Sequence, residues 1–202
     1  MIEALAVLGG YLLGALPFGY WLPLVVRGED IRQRGSGNVG ATNVFRVYGK
    51  RLGIAVAFLD LAKGFAAAAL GLWAAGPLVG VLAGAAAMAG HARPVFLRFE
   101  KGGKMVATAG GAFLALAPLA MLCCVVIWLA VFVATRYASV ASIVTAVALV
   151  ALVLLFGYDW PVVAFAAGGA VAIVLLHRHN LSRLVHGTEH RFELSVRKTG
   201  IR

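Results

Sequence analysis

Charged side chains are scarce in this 202-residue sequence: Asp, Glu, Lys and Arg supply 13% of it, about half the share found in a soluble domain. Hydrophobic residues supply 62%, and the mean hydropathy is +0.93. Apolar runs recur as far as residue 177, which a single cleaved signal peptide does not explain. The composition excludes a soluble domain and predicts an all-α integral membrane protein.

Several catalytic and metal-binding patterns are also missing. The two cysteines, Cys123 and Cys124, are adjacent inside an apolar run, so they indicate neither a disulfide framework nor a metal site. The eight acidic residues form no D-x-x-D cluster of the kind that holds magnesium in a phosphotransferase. No G-x-S-x-G elbow surrounds Ser36, and no histidine begins the H-x-x-x-x-D pattern of one large acyltransferase class. We therefore expect no metal and no cofactor.

The basic residues are unevenly distributed. With 18 Lys and Arg against 8 Asp and Glu, the net charge is +10, which by itself would suit a nucleic-acid-binding protein. All 18 lie in or next to four segments, at about 27–63, 91–104, 136 and 178–202. The loops near 74–77, 116–119 and 157–161 carry none. This is the positive-inside pattern, so we expect the basic loops in the cytoplasm, beside anionic lipid, and no nucleic-acid partner.

Seven apolar segments predict seven transmembrane helices, at 2–26, 53–73, 77–90, 105–116, 119–134, 140–156 and 161–176. The third and fourth cover only about 20 Å of a hydrocarbon core of about 30 Å, so they extend into loop residues or stop part-way beside a polar cavity. Pro17 predicts a kink in the first segment. An odd number of spans puts the N-terminus outside and the basic C-terminus in the cytoplasm. We expect one domain over 1–202, with cytoplasmic loops at about 27–52, 91–104 and 135–139 and a tail at 178–202.

The polar stretch 34–46 has the features of an anion site. Its glycines permit backbone conformations that turn several N–H groups toward one point. Its side chains add neutral donors and the positive charge of Arg34 and Arg46. The spacing is not that of a Walker A loop. We predict a phosphate site here, with a flexible turn between helices as the alternative.

Three further polar segments are expected on the same face of the membrane. Glycines in 101–104, Lys-Gly-Gly-Lys, would leave free N–H groups at a helix start, beside the charge of Lys104. In 136–142, Ser139 or Ser142 is expected to cap the sixth span. In 177–183 the spacing places His177, Asn180 and Arg183 on one face of a helix that continues the last span. His177 is then a general base, a group that orients a hydroxyl, or a histidine satisfied at the interface.

Asp60 and Lys63 lie at a spacing that puts both on one face of the second span. We expect them to form an ion pair close to the interface, because a lone charge in lipid is costly. A substrate contact by Lys63 is the alternative.

The polar segments together resemble the bacterial acyl-phosphate:glycerol-3-phosphate acyltransferase family, PlsY, from the first span to about Glu189. The residues that carry the resemblance are Ser36-Gly37-Asn38-Val39-Gly40-Ala41-Thr42-Asn43, Asp60-x-x-Lys63-Gly64, Gly90-His91-x-x-Pro94-Val95-Phe96, Lys101-Gly102-Gly103-Lys104-x-Val106-Ala107-Thr108 and His177-x-x-Asn180-x-x-Arg183-Leu184-x-x-Gly187-Thr188-Glu189. The chain departs from the family pattern at Met105, where the family usually has glycine, at Glu100, which looks inserted, and at Leu176, where arginine is expected.

The resemblance implies transfer of a fatty acyl group from acyl phosphate to the 1-position of sn-glycerol 3-phosphate, the first step of phospholipid synthesis. The products would be 1-acylglycerol 3-phosphate (lysophosphatidic acid) and phosphate. It also implies a multi-pass protein of the bacterial cytoplasmic membrane, with its active site on the cytoplasmic face. We expect a monomer.

The resemblance also implies the site. The catalytic residues would be Ser36, Arg46, Lys104, His177 and Asn180. The substrate-binding residues would be Gly37, Asn38, Gly40, Thr42, Asn43, Lys101, Gly102, Gly103, Thr108 and Ser142. Arg46 and Lys104 would carry phosphate charge, Ser36 and Asn180 would orient the hydroxyl and the acyl carbonyl, and Glu189 would tie down the tail. The base is either His177 or a phosphate oxygen of the substrate.

Two other classes of protein fit the sequence less well. A phosphate transporter needs ionisable residues along a pathway, but the outer half of the expected bundle has only Glu3 and Asp159 near its ends. A structural membrane subunit leaves the glycine-rich loops unexplained. Residue chemistry without the resemblance indicates only a membrane enzyme or a binder of phosphorylated substrates.

Overall fold

The structure, a computed structural model, describes residues 1–192, and within that range it consists of helices and loops without strands. The ten α-helices are α1 (Ile2–Gly14), α2 (Phe18–Arg27), α3 (Ala41–Tyr48), α4 (Lys50–Ala75), α5 (Pro77–Ala92), α6 (Val106–Leu116), α7 (Pro118–Thr135), α8 (Ala138–Leu155), α9 (Trp160–Leu176) and α10 (Arg178–Val185). Short 3-10 turns lie at Ile31–Gln33 and Val95–Leu97. The prediction of an all-α protein is confirmed.

Five helical segments are long and apolar enough to cross a membrane: Ile2–Arg27, Lys50–Ala75, Pro77–Leu97, Pro118–Thr135 and Ala138–Leu155. Helices α9 and α10 form a sixth if the pair, bent by 55°, counts as one span. The protein is therefore a multi-pass membrane protein. Helix α6 has 11 residues, about 16 Å, and is shorter than a span. The number seven stays a prediction.

The apolar residues of the helices are divided between a packed interior and an exterior that faces away from the other helices. Inside, Phe113 of α6 stacks on Phe165 of α9 with ring centres 4.6 Å apart. Outside, Phe58, Trp73 and Leu155 are more than two-thirds exposed, as suits contact with lipid. Helix α6 lies among α4, α5, α7 and α9, so its short length is compensated by protein on most sides.

Small residues let the helices approach closely. A Cβ atom on Gly111 of α6 would meet the carbonyl oxygen of Leu61 on α4, and one on Gly64 of α4 would meet that of Thr108 on α6. Gly14 of α1 packs in the same way on Ala87 of α5. Backbone approach through small residues is a common mode of helix association in membranes.

Breaks in the helices follow local chemistry. The predicted kink in the first segment is confirmed, because α1 ends at Gly14 and α2 begins after Pro17. Helix α5 begins with Pro77 at its first position, after Gly76 with φ of 83°. The continuous helix expected through residue 177 is wrong, because the chain bends by 55° between α9 and α10, with His177 between them.

The ion pair of Asp60 and Lys63 is confirmed, with 2.8 Å between Nζ and Oδ1 and both side chains 2% exposed. Helix α4 begins at Lys50, so Asp60 lies roughly 15 Å along the helix. The place of the pair close to the membrane interface stays a prediction. The basic residues Arg197, Lys198 and Arg202 of the predicted tail lie outside the described residues.

Candidate functional site

Four polar segments meet at one end of the helix bundle. Asn38 of the loop after α2 donates from Nδ2 to the carbonyl oxygen of Gly102 in the loop before α6, at 3.3 Å. Lys104 donates from Nζ to Oδ1 of Asn180 on α10. Ser139, near the start of α8, donates to Oε1 of Glu189 at 3.0 Å. The convergence that the sequence predicts is therefore present, and we call this meeting point the polar cluster.

The loop between α2 and α3 is organised by the buried amide of Asn43. Its Oδ1 accepts from the backbone N–H of Ser36 at 2.9 Å, and its Nδ2 donates to the carbonyls of Arg34 and Asn38, both at 3.0 Å. Gly35 has φ of 58°, and a Cβ atom there would collide with Oδ1 of Asn43. Both amide hydrogens of Asn43 are thus used to shape the loop, while Ser36 remains exposed to a ligand.

The remaining predicted ligands of this loop differ in accessibility. Asn38 links the two glycine-rich loops through Nδ2, and its Oδ1 accepts from the N–H of Gly40 at 2.8 Å. Gly37 has φ of 70° and is exposed, as is Thr42 in the first turn of α3. Direct contacts of these residues with substrate stay predictions.

The second glycine-rich loop differs from expectation. The N–H groups of Gly102 and Gly103 are not free, because they donate to the carbonyls of Ala92 and His91 at 2.9 and 3.0 Å. A Cβ atom on Gly102 would strike the carbonyl oxygen of His91, and one on Gly103 would strike its imidazole ring. The glycines are needed for space, and the predicted free amides at these two positions are wrong. Lys101, the first residue of the loop, is exposed.

Met105 takes the conformation that glycine would favour. It precedes α6 with φ of 68° and ψ of −12°, in the left-handed region. A side chain there costs about 1–2 kcal/mol relative to glycine. This accounts physically for the glycine that the resemblance leads one to expect at the position.

Glu189 is the acceptor at the centre of the polar cluster. Its carboxylate accepts from Asn180 Nδ2 at 2.6 Å, from Arg183 Nε at 2.7 Å and from Ser139 at 3.0 Å. Burial opposes ionisation of Glu189, but these hydrogen bonds outweigh it and lower its pKa. Glu189 fixes the segment after α10 against α8 and α10, which supports its predicted role as a tie for the tail.

Two cations of the polar cluster have no carboxylate partner within residues 1–192. Lys104 is bonded to an amide oxygen, and burial, more than the opposing field of Glu189, lowers its pKa to about 8. Arg46 lies over the ring of Phe192, 5.4 Å from its centre. Burial also lowers the pKa of Arg46, although the field of Glu189 acts in the other direction. With Arg183, three cations surround one carboxylate, so the cluster has positive charge left for an anion.

His177 lies between α9 and α10, with its side chain buried. Its Nδ1 is 2.8 Å from the carbonyl oxygen of Ile173. A carbonyl only accepts, so Nδ1 carries a hydrogen, and in the neutral ring Nε2 presents a lone pair. That arrangement suits a proton acceptor, and it equally satisfies a histidine that only orients its neighbours.

Three predicted residues, Thr108, Ser139 and Ser142, are buried inside the bundle. Ser142 donates to the carbonyl of Ala138 at 2.7 Å and accepts from Trp128 at 3.2 Å. Thr108 is fully buried, and its Oγ1 has no partner among the described residues. The cap predicted from Ser139 or Ser142 is wrong, because Tyr137 precedes α8 and no side chain caps it. Ligand contacts by Thr108 and Ser142 stay predictions that these positions do not favour.

Sequence reasoning missed two parts of the site. Phe192 contacts Phe45 and Phe132, with ring centres 5.6 and 5.3 Å apart, and so closes the cluster from the tail. Ser139 was expected to cap a helix and instead holds Glu189. No periodic pattern marks the tail, and only the Gly-Thr-Glu motif at 187–189 could have pointed to it. Within residues 1–192, no three His, Cys, Asp or Glu side chains are grouped as for a metal.

Comparison with known proteins gives consistent matches over nearly the whole chain. The family profile described as glycerol-3-phosphate acyltransferase matches residues 4–187. Glycerol-3-phosphate acyltransferase 2 of Moorella thermoacetica is 44% identical over 187 residues, which cover 93% of this chain and 96% of that protein. Glycerol-3-phosphate acyltransferase of Desulforudis audaxviator is 43% identical over 192 residues, which cover 95% and 96% of the two chains.

The fold is similar to that of a solved membrane protein. The crystal structure of PlsY, an integral membrane glycerol 3-phosphate acyltransferase, in its glycerol 3-phosphate form has a TM-score of 0.91 and 40% identity, covering 95% of this chain and 96% of that one. The lysophosphatidic acid form of that protein has a TM-score of 0.86 and 39% identity, covering 95% of each chain.

Proposed function

Because this chain belongs to the glycerol-3-phosphate acyltransferase family and is a membrane enzyme of the PlsY type, we propose that its acyl donor is an acyl phosphate. It transfers the acyl group to the 1-hydroxyl of sn-glycerol 3-phosphate. The products are 1-acylglycerol 3-phosphate (lysophosphatidic acid) and inorganic phosphate. The glycerol 3-phosphate and lysophosphatidic acid forms of the similar crystal structure support the acceptor and the product.

The observation that carries the proposal is the surplus of positive charge in the polar cluster. Both the acceptor and the donor carry a phosphate, and both need cations that are not already neutralised. Lys104 and Arg46 meet that need, since neither pairs with a carboxylate within residues 1–192. Charge-assisted contacts to phosphate are roughly twice as strong as neutral ones.

The reaction needs positioning more than a strong nucleophile, because an acyl phosphate is already an activated anhydride. The hydroxyl oxygen attacks the acyl carbonyl carbon, the bond from that carbon to the phosphate oxygen breaks, and phosphate leaves. The hydroxyl proton passes either to Nε2 of His177 or to a phosphate oxygen of the substrate. No acyl-enzyme forms.

Different residues of the site bind phosphate and orient the reacting groups. Lys104 and Arg46 stabilise phosphate charge that grows as the anhydride breaks. Ser36 orients the attacking hydroxyl from the exposed first loop. Asn180 uses one amide hydrogen on Glu189 and keeps the other for the acyl carbonyl. The remaining predicted residues of the two glycine-rich loops shape the phosphate sites.

The proposal includes the membrane topology. Seven spans in one domain put the N-terminus outside and the polar cluster at the cytoplasmic face of the bacterial inner membrane. The basic loops at the end of the bundle that carries the cluster support this orientation. Acyl phosphate then reaches the site from the bilayer, and glycerol 3-phosphate reaches it from the cytoplasm.

The test is phosphate release by the purified protein in lipid, given palmitoyl phosphate with and without glycerol 3-phosphate. We expect release that requires the acceptor and equals lysophosphatidic acid formation. Ser36→Ala and Lys104→Met should each lower kcat about a hundredfold or more. Lys50→Met, which removes an exposed lysine from the start of α4, is the control and should keep full activity.

Two outcomes would contradict the proposal. A folded protein that releases no phosphate with both substrates present is not an acyl-phosphate-dependent transferase. Full activity of Ser36→Ala would refute the site assignment alone, and a covalent acyl adduct on Ser36 would refute direct transfer.

A further inference from the structure

Three titratable side chains that the proposed reaction does not use lie buried behind the second glycine-rich loop. Asp60 and Lys63 come from α4, and His91 comes from the last turn of α5. Nζ of Lys63 is 2.8 Å from Oδ1 of Asp60 and 2.9 Å from Nδ1 of His91. Their burial excludes a solvent-screened surface pair.

Lys63 has as many close acceptors as it has hydrogens. Its ammonium donates to the carbonyl oxygen of Leu16, between α1 and α2, at 2.8 Å and to Nδ1 of His91, and it forms the ion pair with Asp60. The lysine thereby ties together the α1–α2 junction, α4 and α5. Since Nδ1 of His91 accepts from an ammonium, the neutral ring carries its hydrogen on Nε2. The ring is held in one orientation.

His91 in turn supports the second loop in two ways. Its carbonyl accepts the N–H of Gly103, and its ring fills the space that a side chain on Gly103 would need. Gly103 directly precedes Lys104, whose ammonium reaches Asn180. An unbroken line of contacts therefore runs from the buried ion pair to the ammonium in the polar cluster.

We propose that Asp60, Lys63 and His91 form a positioning unit for acyl transfer, which holds the Gly102–Gly103 turn and thereby sets the place of the Lys104 ammonium. This inference rests on the proposed function. The three residues touch no substrate. They act through the loop, and their effect is on where the charge of Lys104 lies relative to the breaking anhydride.

Stability alone does not account for the unit. Replacing a buried ion pair with well-packed hydrophobic residues of similar volume is often neutral or stabilising, whereas removing one partner alone is strongly destabilising. A pair kept inside an apolar bundle therefore points to a geometric role, and here the geometry it fixes is that of the ring under Gly103.

The decisive variant is Asp60→Asn with Lys63→Met, which removes both charges together with the hydrogen bonds of Lys63 to His91 and to the carbonyl of Leu16. We expect the variant to fold. We expect kcat to fall about ten- to hundredfold, the usual effect of a misplaced catalytic group, while the KM for glycerol 3-phosphate changes little. A purely structural role predicts unchanged kcat in the folded fraction, and that result would overturn the inference.

His91→Phe is the second variant, in case the double variant fails to fold. It leaves the Asp60–Lys63 pair intact and keeps a ring under Gly103, but it removes the acceptor for Lys63. The expected result is again a folded protein with a kcat lowered about tenfold or more. Full activity would refute the unit as described.

Thr145→Val is the matched control. Thr145 has a buried hydroxyl without a partner among the described residues, and it lies deeper in α8 than Ser139 and Ser142. Its replacement should leave kcat unchanged. The two proposals can fail independently. If the unchanged protein is inactive, the proposed function is refuted. If the unchanged protein and the variants are all fully active, only the positioning unit is refuted.

Discussion

Lys104 combines a charge that the proposed reaction needs with surroundings that make the charge easier to lose. Burial lowers its pKa to about 8, the field of Glu189 opposes the shift, and Arg183, Lys101 and Arg46 add to it. The ammonium is present below that pH and lost above it. We expect kcat/KM to fall as the pH rises through about 8.

The measurement is the rate between about pH 6 and about pH 10, where an ordinary lysine keeps its proton through most of the range. Lys104→Arg is the control, because a guanidinium stays charged throughout. Its remaining activity should show the alkaline fall shifted upward by more than about one pH unit. An unshifted fall would assign the titration to another group.

Met105 gives a stability prediction at a single residue. Both Met105→Gly and Met105→Ala lose the side chain that packs against the core, but only glycine removes the strain of the left-handed backbone. Met105→Gly should therefore be more stable than Met105→Ala by about 1 kcal/mol. Thermal unfolding of the two variants in the same detergent measures the difference, and equal stability would show that the backbone rearranges.

At single residues, contacts within one helix could be predicted from the sequence, whereas contacts between distant segments could not. The ion pair of Asp60 and Lys63 follows from a helical spacing and was predicted. The hydrogen bonds of Gly102 and Gly103 to the end of α5 were not, since they depend on how a loop folds back on a distant helix. The recruitment of Ser139 by Glu189, fifty positions later, is likewise tertiary, and it explains why the predicted cap is absent.

At the scale of helices, the contact of α4 with α6 depends on the absence of side chains. A Cβ atom on Gly111 would meet the carbonyl oxygen of Leu61 and lie 2.7 Å from the backbone nitrogen of Phe65. Gly111→Ala should force the helices apart and cost about 1–3 kcal/mol. Gly168 of α9 has open space around its Cβ position, so Gly168→Ala should be neutral or slightly stabilising.

The two variants are compared by thermal unfolding in detergent. Equal melting temperatures would show that α6 is free to shift away from α4. Helix positions themselves were predictable from apolar runs, because burial in lipid demands them. The bend between α9 and α10 was not, because the residues around His177 continue a helical spacing.

At the scale of the whole molecule, the orientation in the membrane is open to a direct test. In a Cys123→Ala, Cys124→Ala background, single cysteines at Glu3 and His186 report the two ends of the described chain, and both positions are exposed. With seven spans, an impermeant maleimide should label Glu3→Cys in intact spheroplasts. It should label His186→Cys only after the membrane is opened. Labelling of both from one side would require an even number of spans.

At this scale the fold class was the easiest property to predict, and the number of transmembrane spans was the hardest. Scarce charge and repeated apolar runs are enough for an all-α membrane protein. The sequence of helix α6 is apolar enough to predict a transmembrane span. Its 11 residues are nevertheless too few to cross the hydrocarbon core, and it lies among other helices. Hydropathy cannot separate a helix surrounded by protein from one surrounded by lipid.

The central position of Glu189 in the polar cluster affects when the site can form during biosynthesis. This carboxylate joins α8 to α10, and it follows all ten helices that the structure describes in residues 1–192. Ribosomal synthesis runs from the N-terminus, so the polar cluster stays incomplete until the last of those helices has left the ribosome. A nascent chain arrested in the membrane before α10 would hold both glycine-rich loops and still lack a finished site.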